Sequence, residues 1–173
     1  MIGGYTNFLI ASAGASAAFI GLLFVGMSIV NRDDANHSTR ERRIVLAGSS
    51  FLALVDAFFV SIISFVGGTK TFAVANLVMA GVGLLGTSRL VPRAARAGVF
   101  AREFSTRRLN LVFAGGSVAL YSAQLIVPIV LLTVPAQTTT LIRIALLILI
   151  GLYASALARA WEITGIRGSR TLS

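Results

Sequence analysis

The residues most able to do chemistry are one carboxylate and two polar side chains inside long apolar stretches. Asp56 lies within the apolar residues 44–66, and Tyr121 and Gln124 lie within the apolar residues 111–134. A central Asp costs at least about 2.5–3.5 kcal/mol on membrane-insertion scales, so it should face protein or water. Helical rise puts Asp56 about 18 Å and Gln124 about 20 Å from the inner ends of their segments. The spacing therefore allows one polar layer, which could bind a cation or proton or simply hold helices together by hydrogen bonds.

Two serines make the first apolar stretch a second candidate. Residues 11–18 contain nothing larger than serine, and Ser12 and Ser16 are four residues apart, so they share a helix face. They could line a narrow polar path. The alternative is close helix packing, which small residues promote where lipid provides no hydrophobic driving force.

Arg143 is the third residue of the apolar stretch 141–161. An arginine near the membrane surface usually extends its charged end outward to the headgroups. The alternative is an ion pair with Asp56, although helical rise separates the two along the membrane normal by about 10 Å.

The elements that must position these residues follow from composition. Of the 173 residues, 56% are hydrophobic and only 12% are charged, and the mean hydropathy is +0.87. A soluble domain carries about 25% charged residues, so we predict one all-α integral membrane domain covering residues 1–173. A membrane-spanning helix needs about 20 apolar residues, and five stretches qualify: residues 8–30, 44–66, 71–90, 111–134 and 141–161.

The connecting segments indicate an orientation. Four basic residues lie in 31–43, six in 89–110 and three from Arg159 onward, which is thirteen of the fifteen. The opposite connections hold only Lys70. The positive-inside rule then predicts a five-helix bundle with its N-terminus outside and its C-terminus in the cytoplasm.

The longest basic connection has two interpretations. Residues 92–106 place Ala97, Phe100 and Phe104 at helical spacing after Pro92, which is typical of an amphipathic helix lying in the membrane interface. The alternative is a solvated basic linker. Either form should attract anionic lipid at the cytoplasmic face through its arginines, namely Arg93, Arg96, Arg102, Arg107 and Arg108.

Several functional classes find no support. The net charge of +9 lies in short connections rather than on a soluble basic surface, so we expect no nucleic-acid partner. The chain has no cysteine and one histidine, which leaves no multi-histidine or thiolate metal site. Asp33 and His37 share a helical face, but a solvated loop explains them better than catalysis. We therefore expect no enzymatic activity and no cofactor.

The exit of the first apolar stretch, residues 21–31, reads GLLFVGMSIVN. This segment resembles a family of uncharacterised small multi-pass proteins of bacterial inner membranes, whose members carry a GLLFV-like phrase followed by a Ser and an Asn. Some of those proteins are labelled as modulators of a membrane protease. The likeness covers the first span and its exit and implies a bacterial inner membrane, without any catalytic residue to carry over.

Two functions fit these features. A homo-oligomeric ion channel with a polar site in the middle of the membrane is favoured by three features. They are the small size of the protein, the small residues of the first helix and the central Asp56. The alternative is a non-conducting scaffold or regulatory subunit that binds another membrane protein or anionic lipid.

The orientation makes a direct prediction. Labelling or protease mapping in intact cells should find residues 89–110 protected from the outside and reactive only after the inner face is exposed. Modification of this segment from outside the cell would overturn the predicted orientation.

Overall fold

The computed structural model describes the backbone of residues 2–30, 37–96, 104–134 and 137–165, and the side chains of 4–28, 40, 43–93, 115–134 and 137–161. A short 3-10 helix, Ile2–Tyr5, leads into the first long helix. The long helices are α1 Thr6–Val30, α2 His37–Arg96, α3 Phe104–Thr133 and α4 Thr138–Gly165.

The four long helices of the described residues confirm the predicted all-α class, and each is long and apolar enough to cross a membrane. The sequence predicted five spans, and the structure has four such helices because residues 44–66 and 71–90 both lie in α2. Helix α2 has 60 residues, and a straight helix of that length would extend about 90 Å. The hydrocarbon core is only about 30 Å thick. The backbone leaves the helical conformation at Gly68, where φ is 75° and ψ is −162°, within the short connection between the predicted spans 44–66 and 71–90.

The two halves of α2, residues 37–67 and 69–96, pack side by side. Gly48 lies against Leu90, and its added Cβ would be 3.8 Å from the Leu90 Cδ2 atom. Gly86 lies against Leu52 so closely that a Cβ there would overlap the leucine side chain. From Gly48 forward to Leu52 in the first half, the contacted residue in the second half moves back from Leu90 to Gly86. The two halves therefore run antiparallel.

The described part of the basic connection differs from the predicted separate helix over 92–106. Pro92 lies inside α2 rather than at the start of a new helix, and residues 92–96 continue α2. Residues 97–103 lie outside the described residues. The side chain of Arg93 is exposed, whereas those of Arg96, Arg102, Arg107 and Arg108 lie outside the described side chains.

The core lies around the first half of α2. Ala53, Ala57 and Val60 are completely buried, and Leu149 and Leu152 of α4 belong to the same cluster. Helix α2 packs against α1, α3 and α4. Bulky apolar side chains such as Leu22 and Phe24 of α1 are more than half exposed, as expected where lipid rather than water is the solvent.

The conformation at Gly68 can be tested by substitution. We expect Gly68→Ala to lower the thermal stability of the purified protein in detergent, because a positive φ combined with an extended ψ costs a residue that has a Cβ about 1–3 kcal/mol. Gly81→Ala is the matched control, since Gly81 is helical and nothing lies within 4 Å of its added Cβ. An equal melting temperature for the two variants would show that Gly68 carries no conformational requirement.

Candidate polar site in the helix bundle

Asp56 lies on the most buried face of the first half of α2. Ala53, Asp56, Val60 and Ser64 recur at helical spacing, and each is 0% exposed. Large residues on the other faces, such as Phe59 and Ile62, are more than 40% exposed. The small residues around Asp56 let neighbouring helices approach, so the carboxyl group is completely enclosed within one protomer.

A polar layer forms where the two halves of α2 meet α3. The Nε2 atom of Gln124 donates a hydrogen bond to Asp56 Oδ1 at 2.9 Å and lies 3.4 Å from Asn76 Oδ1. Asn76 Nδ2 donates to the carbonyl oxygen of Phe72 at 2.9 Å. Asp56, Asn76 and Gln124, together with the nearby Tyr121 of α3, are called the Asp56 layer below.

Three oxygens of the Asp56 layer have no hydrogen-bond partner among the described residues. They are Asp56 Oδ2, Gln124 Oε1 and the Tyr121 hydroxyl oxygen, and all three are buried. A buried polar atom without a partner costs about 1–3 kcal/mol. Carboxylate, amide and hydroxyl oxygens are also the atoms that can replace part of the hydration shell of a cation. These three oxygens could therefore bind a proton or a small cation.

Glycine and proline help to place the side chains of α3. The ring of Tyr121 lies directly against Gly83, where an added Cβ would overlap the ring atoms. Pro128 is buried inside α3 and lacks the N–H that would bond to the carbonyl of Gln124. The second half of α2 and α3 can thus approach closely at the depth of the polar layer.

A second set of polar groups connects α1 to the rest of the bundle. Ser61 donates to Ser12 Oγ at 2.8 Å, and the Tyr153 hydroxyl lies 2.9 Å from Ser12 Oγ. Tyr153 also bonds to Ser16 Oγ and to the carbonyl oxygen of Ser12. We call Ser12, Ser16, Ser61 and Tyr153 the hydroxyl cluster. Each of its side chains has a partner, so the cluster bonds α1, α2 and α4 together.

Arg143 does not pair with Asp56. Its Nε atom donates to the Tyr5 hydroxyl at 3.1 Å, and the side chain is exposed. Asp56 is enclosed and bonded to Gln124 of α3 instead. That Arg143 extends toward the membrane surface stays a prediction.

Three residues of the two polar sets lie outside the candidates chosen from sequence. In the sequence, Asn76 shares a helix face with Ala80 and Gly83, which favours a role in packing. In the structure, its side chain is 0% exposed and lies beside Gln124. Its signal is an amide inside an apolar stretch. Ser61 and Tyr153 bond to Ser12 over 49 and 141 residues of sequence separation, and no local pattern indicates such contacts.

No protein-family model matches the chain, and neither a curated protein nor a solved structure is significantly similar to it. The resemblance of residues 21–31 to small bacterial membrane proteins therefore stays a prediction.

The bond between Gln124 and Asp56 predicts a loss of stability when the amide is removed. We expect Gln124→Leu to lower the free energy of unfolding by about 1–3 kcal/mol, because it leaves Asp56 buried without its donor. Thermal unfolding in detergent measures the change. Gln137→Leu is the control, since Gln137 is exposed, and equal effects from both variants would contradict a stabilising bond.

Proposed function

We propose that the protein is a five-span protein of a bacterial inner membrane, with its N-terminus outside and its C-terminus in the cytoplasm. The break at Gly68 and the antiparallel packing of the halves of α2 support two spans within that helix. The arginine-rich connections support the orientation. An odd number of spans then leaves the two termini on opposite sides.

Within this arrangement, we propose that the protein conducts protons or small monovalent cations. The observation that carries this proposal is the enclosed carboxyl group of Asp56, which is 0% exposed and bonded to Gln124 through only one of its two oxygens. An ionisable residue at this depth is costly to insert. A cation or proton bound at the free oxygen would offset that cost, whereas a purely structural contact would leave the oxygen unsatisfied.

The roles of the layer follow from its atoms. Asp56 supplies the negative charge that makes a cation favourable inside the membrane. Gln124 and Tyr121 supply uncharged oxygens that substitute for water ligands, and Asn76 helps to hold the Gln124 amide in position. Because conduction requires release as well as binding, one carboxylate with neutral oxygens, and with the buried Arg159 close enough to Tyr121 to interact with it electrostatically, suits a cation that is bound only transiently.

The proposed cation site, the Asp56 layer, lies inside the protomer. Asp56, Ser12 and Ser16 are all enclosed by helices of the same chain, which argues against their exposure on an axis between subunits. We retain the proposal of a homo-oligomer, with each protomer carrying its own site. The exposed small residues of α1, including Gly14, Ala18 and Gly21, would let a second helix approach closely.

The role of Asp56 is tested by flux into liposomes that contain the purified protein. We expect Asp56→Asn to reduce proton or Na⁺ flux at least about tenfold, since a rise of about 1.4 kcal/mol in the barrier is enough for that change. The substitution keeps an oxygen for Gln124 to donate to while removing the charge. A pH-sensitive dye inside the vesicles and separate Na⁺ gradients distinguish the two ions.

Ser122→Ala is the matched control for this experiment. Ser122 lies between Tyr121 and Gln124 in sequence, is half-buried, and belongs to neither polar set. Flux of the control should equal that of the original protein. Unchanged flux in a correctly folded Asp56→Asn variant would remove Asp56 from the mechanism.

A non-conducting scaffold or regulatory subunit is the second candidate. The observation that favours it is the open face of α1, where nothing lies within 4 Å of a Cβ added at Gly14 or Gly21. Such a face suits a helix of another membrane protein. Liposomes that stay silent to protons and Na⁺, together with a specific co-purifying membrane protein, would favour this function over conduction.

A further inference from the structure

Two apolar grooves follow the seam between α1 and α4. One has a volume of about 260 Å³ and begins at Phe8. The other has a volume of about 470 Å³ and extends to Trp161. Phe19 and Leu157 line both, so the two grooves are adjacent along the seam, and together we call them the α1–α4 crease.

The crease exists because α1 is held mainly by α2. Near its cytoplasmic end, Leu23 and Met27 of α1 pack against Leu46 and Ala47 of α2. Contacts between α1 and α4 are few by comparison, and Tyr153 provides their described hydrogen bonds. Glycine and alanine at Gly26, Ala156 and Ala160 keep the larger groove wide.

The mouth of the larger groove lies at the arginine-rich end of the bundle. Trp161 borders it and is 79% exposed, in keeping with the preference of tryptophan for membrane interfaces. Met27 also lines the groove and packs near Leu46. Arg43, one helical turn before Leu46, is buried, whereas Arg40, another turn toward the same end of the helix, is exposed. The mouth therefore has an apolar wall, and Arg40 carries the exposed positive charge at its border.

We propose that the α1–α4 crease binds one acyl chain of an anionic phospholipid from the cytoplasmic leaflet. The α1 residues from Phe8 to Met27 cover about 28 Å along the helix axis, enough to hold an extended acyl chain. Because lipid tails are as apolar as the crease, the acyl chain contributes to binding mainly through its shape complementarity to the groove. The charge of the headgroup at the border near Arg40 provides the preference for anionic over zwitterionic lipid. This inference depends on the membrane arrangement and is independent of cation conduction.

Gly26 permits a direct test, because nothing lies within 4 Å of its added Cβ and it lines the crease. Gly26→Leu should fill the groove without disturbing the core. Native mass spectrometry of the full chain with added phosphatidylglycerol should show a retained lipid on the original protein, and occupancy at least about tenfold weaker in Gly26→Leu. Gly21→Leu, on the same helix but outside the crease lining, should retain the lipid.

The charged border is tested by a separate variant. Arg40→Gln should weaken the preference for phosphatidylglycerol over phosphatidylcholine by about fivefold, the effect typical of one basic residue near an anionic surface. An unchanged preference would contradict the assignment of the headgroup to this border.

Trp161 offers a second readout, since it is the only tryptophan in the chain. A low fraction of brominated phosphatidylglycerol in phosphatidylcholine vesicles should quench its fluorescence beyond the level of random mixing. Gly26→Leu should remove the excess quenching, and Gly21→Leu should keep it. Equal lipid retention in Gly26→Leu and Gly21→Leu would overturn the proposal. It would also be overturned if the original protein formed a dimer without bound lipid and Gly26→Leu disrupted that dimer.

Discussion

The interior of a bilayer has no water to satisfy polar groups, so each polar atom of this bundle must find its partner in the protein. Most of the serines whose side chains the structure describes meet this requirement within their own helix, as Ser50 does by donating to the carbonyl oxygen of Leu46 at 3.0 Å. Asp56 cannot do so, because a carboxylate has no proton to donate to a backbone carbonyl. Its burial therefore depends on Gln124, and this requirement brings α2 and α3 together at one depth.

The two polar sets differ in how completely they are satisfied. In the hydroxyl cluster, Ser12, Ser16, Ser61 and Tyr153 all have partners, so the cluster is explained by the attachment of α1 to the bundle. In the Asp56 layer, three buried oxygens have no partner among the described residues. A network that is only partly satisfied is costly, and this difference is the physical reason for placing function at the layer and a structural role at the hydroxyl cluster.

Glycine makes both the turn and the close approaches of this fold possible. Gly68 allows the positive φ at which α2 reverses direction, while Gly86 and Gly83 admit Leu52 and Tyr121 against the second half of that helix. Without a hydrophobic effect between helices, such contacts provide the packing energy. Along α1 the same small residues leave much of the surface open, and the crease beside α4 is a consequence.

The sequence by itself determined the helical class, the apolar segments and the turn near Gly68, because these depend on residue type and on runs of neighbouring residues. It also indicated that Asp56 and Gln124 occupy similar depths, since helical rise follows from residue number alone. Only the tertiary structure decided which faces meet. The rotation of each helix about its axis and the identity of its neighbours bring Asn76 to Gln124 and enclose Ser12 beside Tyr153. They also direct Arg143 to Tyr5 rather than to Asp56. Those pairings join residues far apart in the chain, and no local sequence pattern specifies them.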